Sequence, residues 1–342
     1  MLFSPRGREI YGRWVVSSWQ PGPGGKKMDE EIKKKIFELC EGRVEFHVPM
    51  KEHTSMKVGG KADCLAFPPS VLHLARLVSF LSEEGIPYLP GGNWTNVIVR
   101  DGGVRDVLIS LAGLRELRWL ERRGDHSSLY AEAGVPLRQL VHTALQQEME
   151  GLEFCVGIPG SVGGAIKMNA GAWGREMKDV LERVWIMDER GQTREMITGD
   201  LSFRYRSLEI SPSEIIVGAS FRLIKGIRKE IEKRLEEMGR KRKERHPLEY
   251  PSAGSIFKNP ALAPAGRLIE EAGLKGKQIG GARISEKHGN FIVNTGQATA
   301  TDVIKLIDLI KMKVKEHHGV TLETEVAIIG EDPVREEKFE RP

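Results

Sequence analysis

Along the chain, stretches with apolar residues at helical spacing alternate with short β-branched runs bounded by Gly and Pro. Asp29 to Leu39 sets Ile32, Ile36, Phe37 and Leu39 on a charged background, which predicts a short amphipathic helix. Phe46 to Pro69 alternates like a strand on either side of Gly59-Gly60. The spacing then predicts a helix over Val71–Gly85, with Leu72, Leu74, Leu77, Val78 and Leu81 as its buried stripe. Ile86 to Leu89 reads as a strand running into the turn Pro90–Asn96 and out through Val97-Ile98-Val99.

The later β-like runs are Val107–Ile109, Ser128–Ala131, Val184–Met187 and Glu214–Val217, with a helix at Leu137–Glu148 among them. Gly226–His246 predicts a long charged helix with Ile227, Ile231, Leu235 and Met238 on one face, ended by Pro247. A helix follows at Pro264–Ala272. The last helix, Thr301–His317, opens on an N-cap Thr followed by Asp302 and keeps Val303, Ile304, Ile307, Ile310 and Val314 on its core face. Leu322–Ile329 predicts a closing strand before a charged tail. The pattern as a whole is α+β with a mixed sheet.

At 342 residues the chain is long enough for more than one core, and its 40% hydrophobic and 29% charged content is that of an ordinary globular protein. A net charge of +4 is too mild to argue for nucleic acid and suits anionic small substrates. The basic run Arg240–Lys243 is interleaved with glutamate and has no aromatic neighbours, so it reads as a solvated helix face. No apolar run reaches transmembrane length and no signal-peptide core is present, which predicts a cytoplasmic protein with no membrane partner. Cys40, Cys64 and Cys155 are scattered, fitting a reducing compartment, and no His/Cys/Asp cluster has metal-ligand spacing.

Glycine concentrates in two places. Gly151–Gly174 holds seven glycines in 24 residues, with Gly157, Ile158, Pro159, Gly160, Ser161, Gly163 and Gly164 in one short segment and Asn169, Ala170 and Gly171 beyond it. Such density suits positive φ angles or a ligand lying against bare backbone, and successive N–H groups there would hold a pyrophosphate. A tight turn between strands is the plainer alternative. Gly91, Gly92, Asn93, Thr95 and Asn96 form the other glycine turn, about 65 residues earlier, as if one extended cofactor were gripped from two sides. Neither segment is a GxxxxGK[ST] loop or a GxGxxG turn opening a helix.

Taken in order, HTSMKVGGKAD (53–63), GIPGSVGGAIKMNAGAWG (157–174), FRYRS (203–207), SAGSIFKNP (252–260), AGRLIEEAGLKG (265–276), RISEKHGNFIVN (283–294) and LETEV (322–326) closely resemble the UDP-N-acetylenolpyruvoylglucosamine reductase family. The resemblance implies an FAD-binding α+β unit of the vanillyl-alcohol-oxidase type in two parts, residues 28–98 and 99–225. A C-terminal α+β substrate domain follows at 226–330, whose closing strand near 322–330 returns to the first part. Residues 1–27 are then an N-terminal extension and 331–342 a charged tail. The short interval from Arg206 to Ser255 resembles the family subtype without the extra tyrosine loop. The chain departs from the family's Gly-x-Gly-Ser-Asn turn, having Gly92-Asn93-Trp94-Thr95-Asn96, which puts the contact at Trp94 in doubt.

The resemblance further implies FAD as cofactor, NADPH as co-substrate, the enolpyruvyl ether of UDP-GlcNAc as small-molecule substrate, and no obligate protein partner. Reduction of that ether to a lactyl ether, a step toward peptidoglycan, needs a hydride at C3, passed through the flavin N5, and a proton at C2. Arg206 matches the family's arginine and would meet charge developing on the carboxylate. Glu325, chosen over Glu323 on the same strand face, would hydrogen-bond that group, and Ser255 would give the proton, helped by Lys258 or a water. Tyr205, Lys258, Asn259, His288 and Asn290 are placed as substrate-binding, with a structural role for His288 left open. The alternatives are an FAD oxidase of the same superfamily acting on an alcohol or hydroxy acid, and a non-catalytic UDP-sugar-binding protein.

Overall fold

In a computed structural model of the chain, residues 28–41, 43–123 and 125–333 are described. The N-terminal extension and the tail from 334 lie outside them.

Helix α1 (Glu30–Cys40) starts at Asp29, whose side chain accepts from the Ile32 N–H, and buries Ile32, Ile36 and Cys40. Helix α2 (Val71–Glu83), capped by Ser70, buries Leu74, Leu77, Val78 and Leu81. Both cover a four-stranded sheet in the order Arg43–Pro49, Lys61–Phe67, Val104–Ser110, Tyr88–Gly91, antiparallel at its first pair and parallel thereafter. Phe37 and Leu72, expected on the buried stripes, are each 56% exposed, because a helix this short turns only three or four side chains toward the sheet. Val104–Ser110 lies inside this sheet, so the first unit runs on to Ser110 and the boundary expected at 98 is corrected.

A second, six-stranded antiparallel sheet is centred on Ile215–Lys225, which pairs with Leu181–Met187 on one side and His126–Glu132 on the other. Helices α3 (Leu137–Gln146) and α4 (Val162–Lys167) pack on it, in a core that includes Leu140, Phe154, Val162, Ile166, Val184 and Phe221. Helix α5 (Arg228–Arg245) also belongs here: Leu235 rests on that core, and Arg234 pairs with Glu150 and the buried Glu153. The boundary expected at 226 therefore moves to the end of α5. Ile227, placed on the apolar face from its spacing, is 70% exposed just outside the helix.

The third sheet, Ser252–Ser255, Phe291–Asn294, Ala282–Ile284, Gln278–Ile279, is antiparallel and carries α6 (Ala265–Glu271) and α7 (Ala300–His318). Val303, Leu306, Ile307, Ile310 and Val314 of α7 are buried, and each fully buried side chain of this kind stabilises by about 1.5–3 kcal/mol. The cap of α7 is Thr299, in a reciprocal box with Asp302, rather than Thr301. Asp101, from the first unit, accepts from the Ala300 and Thr301 N–H groups at 2.9 and 2.8 Å, tying the two units together. Of the closing strand only Ala327–Ile329 is regular, and it pairs in parallel with Val97–Val99 of the first unit. Cys40, Cys64 and Cys155 are buried free thiols, each pushed up to about 12 by desolvation.

Candidate active site

The two glycine turns meet directly. A Cβ at Gly92 would overlap Ser161 Oγ, and Thr95 Oγ1 reaches the Pro159 carbonyl at 3.5 Å. Within the described residues, the backbone N–H groups of Asn93, Thr95 and Asn96 on one turn, and of Gly160, Ser161 and Gly164 on the other, donate to no backbone carbonyl. Ser161 Oγ is buried without a partner as well. N–H donors without a backbone acceptor on two turns in such close contact are the chemistry a diphosphate requires, so the residues present fit a dinucleotide cofactor. Trp94 explains the departure in the first turn: it takes φ 50°, is 5% exposed, and lays its ring where a Cβ of Gly91 would come within 2.5 Å. Gly91 is bare for the indole.

Bare backbone elsewhere in the long segment serves packing too. A Cβ at Gly163 would lie 2.7 Å from that of Ala133, and one at Gly171 would lie 2.5 Å from the Arg175 carbonyl. Gly157, with φ 70°, backs onto the Arg242 side chain, whereas Gly164 faces open space except for Ser161 Oγ at 3.8 Å. Ala170 and Ile158 rest on the second core. Asn169 is wholly buried: Nδ2 donates to Glu176 Oε2 and the Arg204 carbonyl, and Oδ1 accepts from the Lys178 N–H. Both of its amide hydrogens are therefore engaged within the protein.

Arg206 sits at the tip of a hairpin, Ser202–Arg204 paired with Ser207–Glu209, in the left-handed region at φ 58°. Its Nη2 donates to the Gly171 carbonyl at 3.0 Å, and its Nε lies 3.3 Å from Glu325 Oε1. Both side chains are less than one-fifth exposed. Tyr205 is exposed and stacks its ring 4.9 Å from the guanidinium carbon. Burial pushes the Glu325 carboxyl above its ordinary range, while Arg206 and Lys258 hold it back.

Ser255 ends its strand opposite Phe291, after a register shift at Gly254, where φ is 77°. Such a bulge re-aims the side chain that follows it. The next residues run against the closing segment: the Glu325 N–H donates to the Ile256 carbonyl at 2.8 Å, and the Lys258 N–H to the Glu323 carbonyl at 2.9 Å. Ser255 and Glu325 are thereby set on neighbouring strips of backbone. Glu323 does not share the environment of Glu325, because this segment is not a regular strand; it is half exposed and paired with Lys258 Nζ at 2.6 Å.

The other predicted substrate ligands each bond to backbone or pack against neighbouring rings. Asn290 is buried and holds Phe257 by both N–H and carbonyl, at 2.9 and 2.8 Å. Asn259 Oδ1 accepts from the Ala265 N–H at the start of α6. His288 Nδ1 accepts from the Asn290 N–H, and its ring packs edge-on against His246 and Phe291. Desolvation lowers its pKa, and the hydrogen bond and ring contacts fit the structural role left open for it. Sequence reasoning missed Ser55, whose hydroxyl reaches the carbonyls of Thr95 and Ser252 at 3.0 and 2.8 Å and so joins the first turn to the Ser255 strand. Only its place in HTSMKVGGKAD signalled it. Asn96 makes a parallel link through Nδ2 to the Glu325 carbonyl at 3.0 Å.

A cationic fork, a carboxyl biased toward its protonated form and a hydroxyl-bearing strand thus converge beside a cradle of open N–H groups. That set can bind a carboxylate, absorb charge that grows on it and deliver a proton next to it. Among the described residues no cluster of His, Cys, Asp and Glu is placed to hold a metal ion, and no helix is long and apolar enough to cross a membrane.

Two family descriptions match the chain: an FAD binding domain over residues 62–196, and the C-terminal domain of UDP-N-acetylenolpyruvoylglucosamine reductase over 246–329. The second begins where α5 ends. The chain is 50% identical over 301 residues to the UDP-N-acetylenolpyruvoylglucosamine reductase of Syntrophus aciditrophicus, covering 88% of this chain and 96% of the relative. It is 42% identical to that of Streptococcus pneumoniae, covering 88% and 99%. The crystal structure of the reductase from Thermus caldophilus superposes with a TM-score of 0.72 at 37% identity, over 84% of this chain and 99% of that one.

Proposed function

The chain belongs to the UDP-N-acetylenolpyruvoylglucosamine reductase family, and from that premise we propose that it reduces the enolpyruvyl ether of UDP-N-acetylglucosamine to UDP-N-acetylmuramate with FAD and NADPH, in peptidoglycan precursor synthesis. It is an FAD-dependent oxidoreductase. The observation that carries the reading is the convergence of Arg206 and Glu325, 3.3 Å apart, on backbone bonded to the residue after Ser255.

When bound, FAD supplies the hydride for C3. The open N–H groups of Asn93, Thr95, Asn96, Gly160, Ser161 and Gly164 would hold its diphosphate. Arg206 faces the substrate carboxylate with a fixed cation, and Glu325 donates a hydrogen bond to the same group from its protonated form. As charge builds on the carboxylate side, both contacts strengthen, which is what lowers the barrier. The Ser255 O–H bond then breaks, the electron pair of the enolate takes the proton at C2, and the serine oxygen is reprotonated through Lys258 or water. Asn290 and Asn259 act by holding the segment from Phe257 to Ala265 in place.

Purified protein is expected to be yellow. Anaerobic NADPH should bleach it, and the enolpyruvyl nucleotide should restore the colour with one lactyl product per flavin. A colourless protein without FAD affinity overturns the reading, and reoxidation only by oxygen with release of peroxide replaces it with an oxidase.

A further inference from the structure

The Arg206 hairpin does not hold itself in place. It has a tight tip with a non-glycine residue at positive φ, and among the described residues its strands pair only with each other. Leu208 and Phe203 pack its strands on the second core and Lys167 Nζ donates to the Leu208 carbonyl, whereas its tip is tied by the segment that follows α4. Asn169 Nδ2 donates to the Arg204 carbonyl at 3.1 Å, two residues before Arg206, and the Gly171 carbonyl accepts from Arg206 Nη2 at 3.0 Å. Asn169 is itself locked by Glu176 at 2.9 Å and by the Lys178 N–H at 3.1 Å, and it occupies the left-handed region at φ 39°. An amide with two donors and an acceptor suits this position; a carboxylate or hydroxyl does not supply the same set.

We propose that Asn169 is a positioning residue for Arg206, fixing the hairpin to the end of the cofactor segment so that the guanidinium stays beside Glu325 and is presented to the substrate carboxylate. The role of Arg206 rests on the function proposed above; the clamp itself does not. It also follows that the cofactor segment and the arginine that meets the substrate are one mechanical unit, since the same short stretch, Val162 to Gly171, carries the open Gly164 N–H at one end and the clamp at the other.

Asn169→Gly tests this, because glycine keeps the backbone conformation and removes only the side-chain bonds. Asn169→Asp is the second variant: it keeps the acceptor for Lys178 and sets a carboxylate against Glu176 and the Arg204 carbonyl. Both are prepared with FAD bound, with flavin content and thermal midpoint recorded. Flavin reduction by NADPH should stay within about twofold of the parent, while reaction with the enolpyruvyl substrate slows on the order of a hundredfold. Combined with Arg206→Lys, the losses should not multiply, because both act through one guanidinium. Independently of any substrate, the Arg206 Nε–H resonance in ¹⁵N-arginine spectra, assigned by its loss in Arg206→Lys, should be sharp in the parent and broadened or shifted in both variants. An unchanged resonance, fully multiplying losses, or equal loss in both half-reactions would overturn the proposal. Failure of the parent to turn over the substrate, with the resonance behaving as stated, overturns the function and leaves the clamp standing.

Discussion

Arg206 Nε lies 3.3 Å from Glu325 Oε1 although the first residue is carried by a hairpin of the second unit and the other by the segment that returns from the third. The pair exists only when all the units are assembled. Arg206→Lys keeps the charge but loses the planar fork that bonds Gly171 and Glu325 together. Turnover of the enolpyruvyl substrate is expected to fall by about 10²–10³, the cost of removing one donor aimed at developing charge. Flavin reduction by NADPH, measured by stopped flow, should be untouched.

Ser255→Ala removes the hydroxyl proposed to give the proton to C2 and nothing that holds the fold, since the serine lies at a strand end beyond a bulge. Stopped-flow reduction of the flavin should persist, and its reoxidation by substrate should slow by about 10²–10⁴. Retained reoxidation would take Ser255 out of its role.

Glu325 titrates above its ordinary range because burial disfavours its charge more than Arg206 and Lys258 favour it. A step that needs the protonated carboxyl is intact below that raised pKa and is lost as pH rises through it. The substrate-reducing half-reaction should therefore decline on the alkaline side, and Glu325→Gln, a permanently neutral donor, should lack that decline. The same limb in the Gln variant would assign it to another group.

Much of this was readable from residues alone, and the exceptions have physical causes. Periodicity located the helices because each buries a stripe, yet it put Phe37, Leu72 and Ile227 inside when the sheets reach only part of each face. The glycine turns announced a cofactor cradle, but glycine answers equally to a ligand, to an indole, as at Gly91, and to a helix packed on a sheet, as at Gly163. Sequence spacing cannot separate these. Asn169, Asn259 and Asn290 looked like ligands because a polar residue in a loop beside a site can face either way. Asn169 and Asn290 are buried and bond backbone far along the chain, such as Phe257 for Asn290, while the exposed Asn259 bonds the nearby Ala265 N–H; contacts of this kind brace the site. The pairing of Ala327–Ile329 with Val97–Val99 brings Glu325 home, and it spans more of the chain than any local pattern does.

Gly91→Ala should weaken FAD binding by displacing Trp94. The added Cβ would sit 2.5 Å from a ring that is 5% exposed and has no room to move. Overpacking of this kind costs about 1–3 kcal/mol. Expected are a lower thermal midpoint and at least a tenfold weaker flavin affinity by fluorescence titration, at about 1.4 kcal/mol per tenfold. Unaltered flavin affinity would show that the turn's donors are set independently of the indole.

Asp106 gives the fold a pH dependence of its own. It is 6% exposed at the register shift between the strands Lys61–Phe67 and Val104–Ser110, with Glu331 and Asp63 nearby. Burial first, and those two carboxylates after it, push its pKa from 3.8 to about 6. A carboxyl whose folded pKa exceeds its unfolded one binds its proton more tightly in the native state, so its contribution is fully present below pH 3.8 and is lost as pH rises through 6. At neutral pH the charged form costs the native state about 1–3 kcal/mol, since each tenfold change in proton affinity is worth about 1.4 kcal/mol. Asp106→Asn should therefore raise the urea midpoint at pH 8, and the gain over the parent should shrink steadily between pH 6 and pH 4. A gain that does not change with pH would show that the amide stabilises by packing or hydrogen bonding instead of by removing a buried charge.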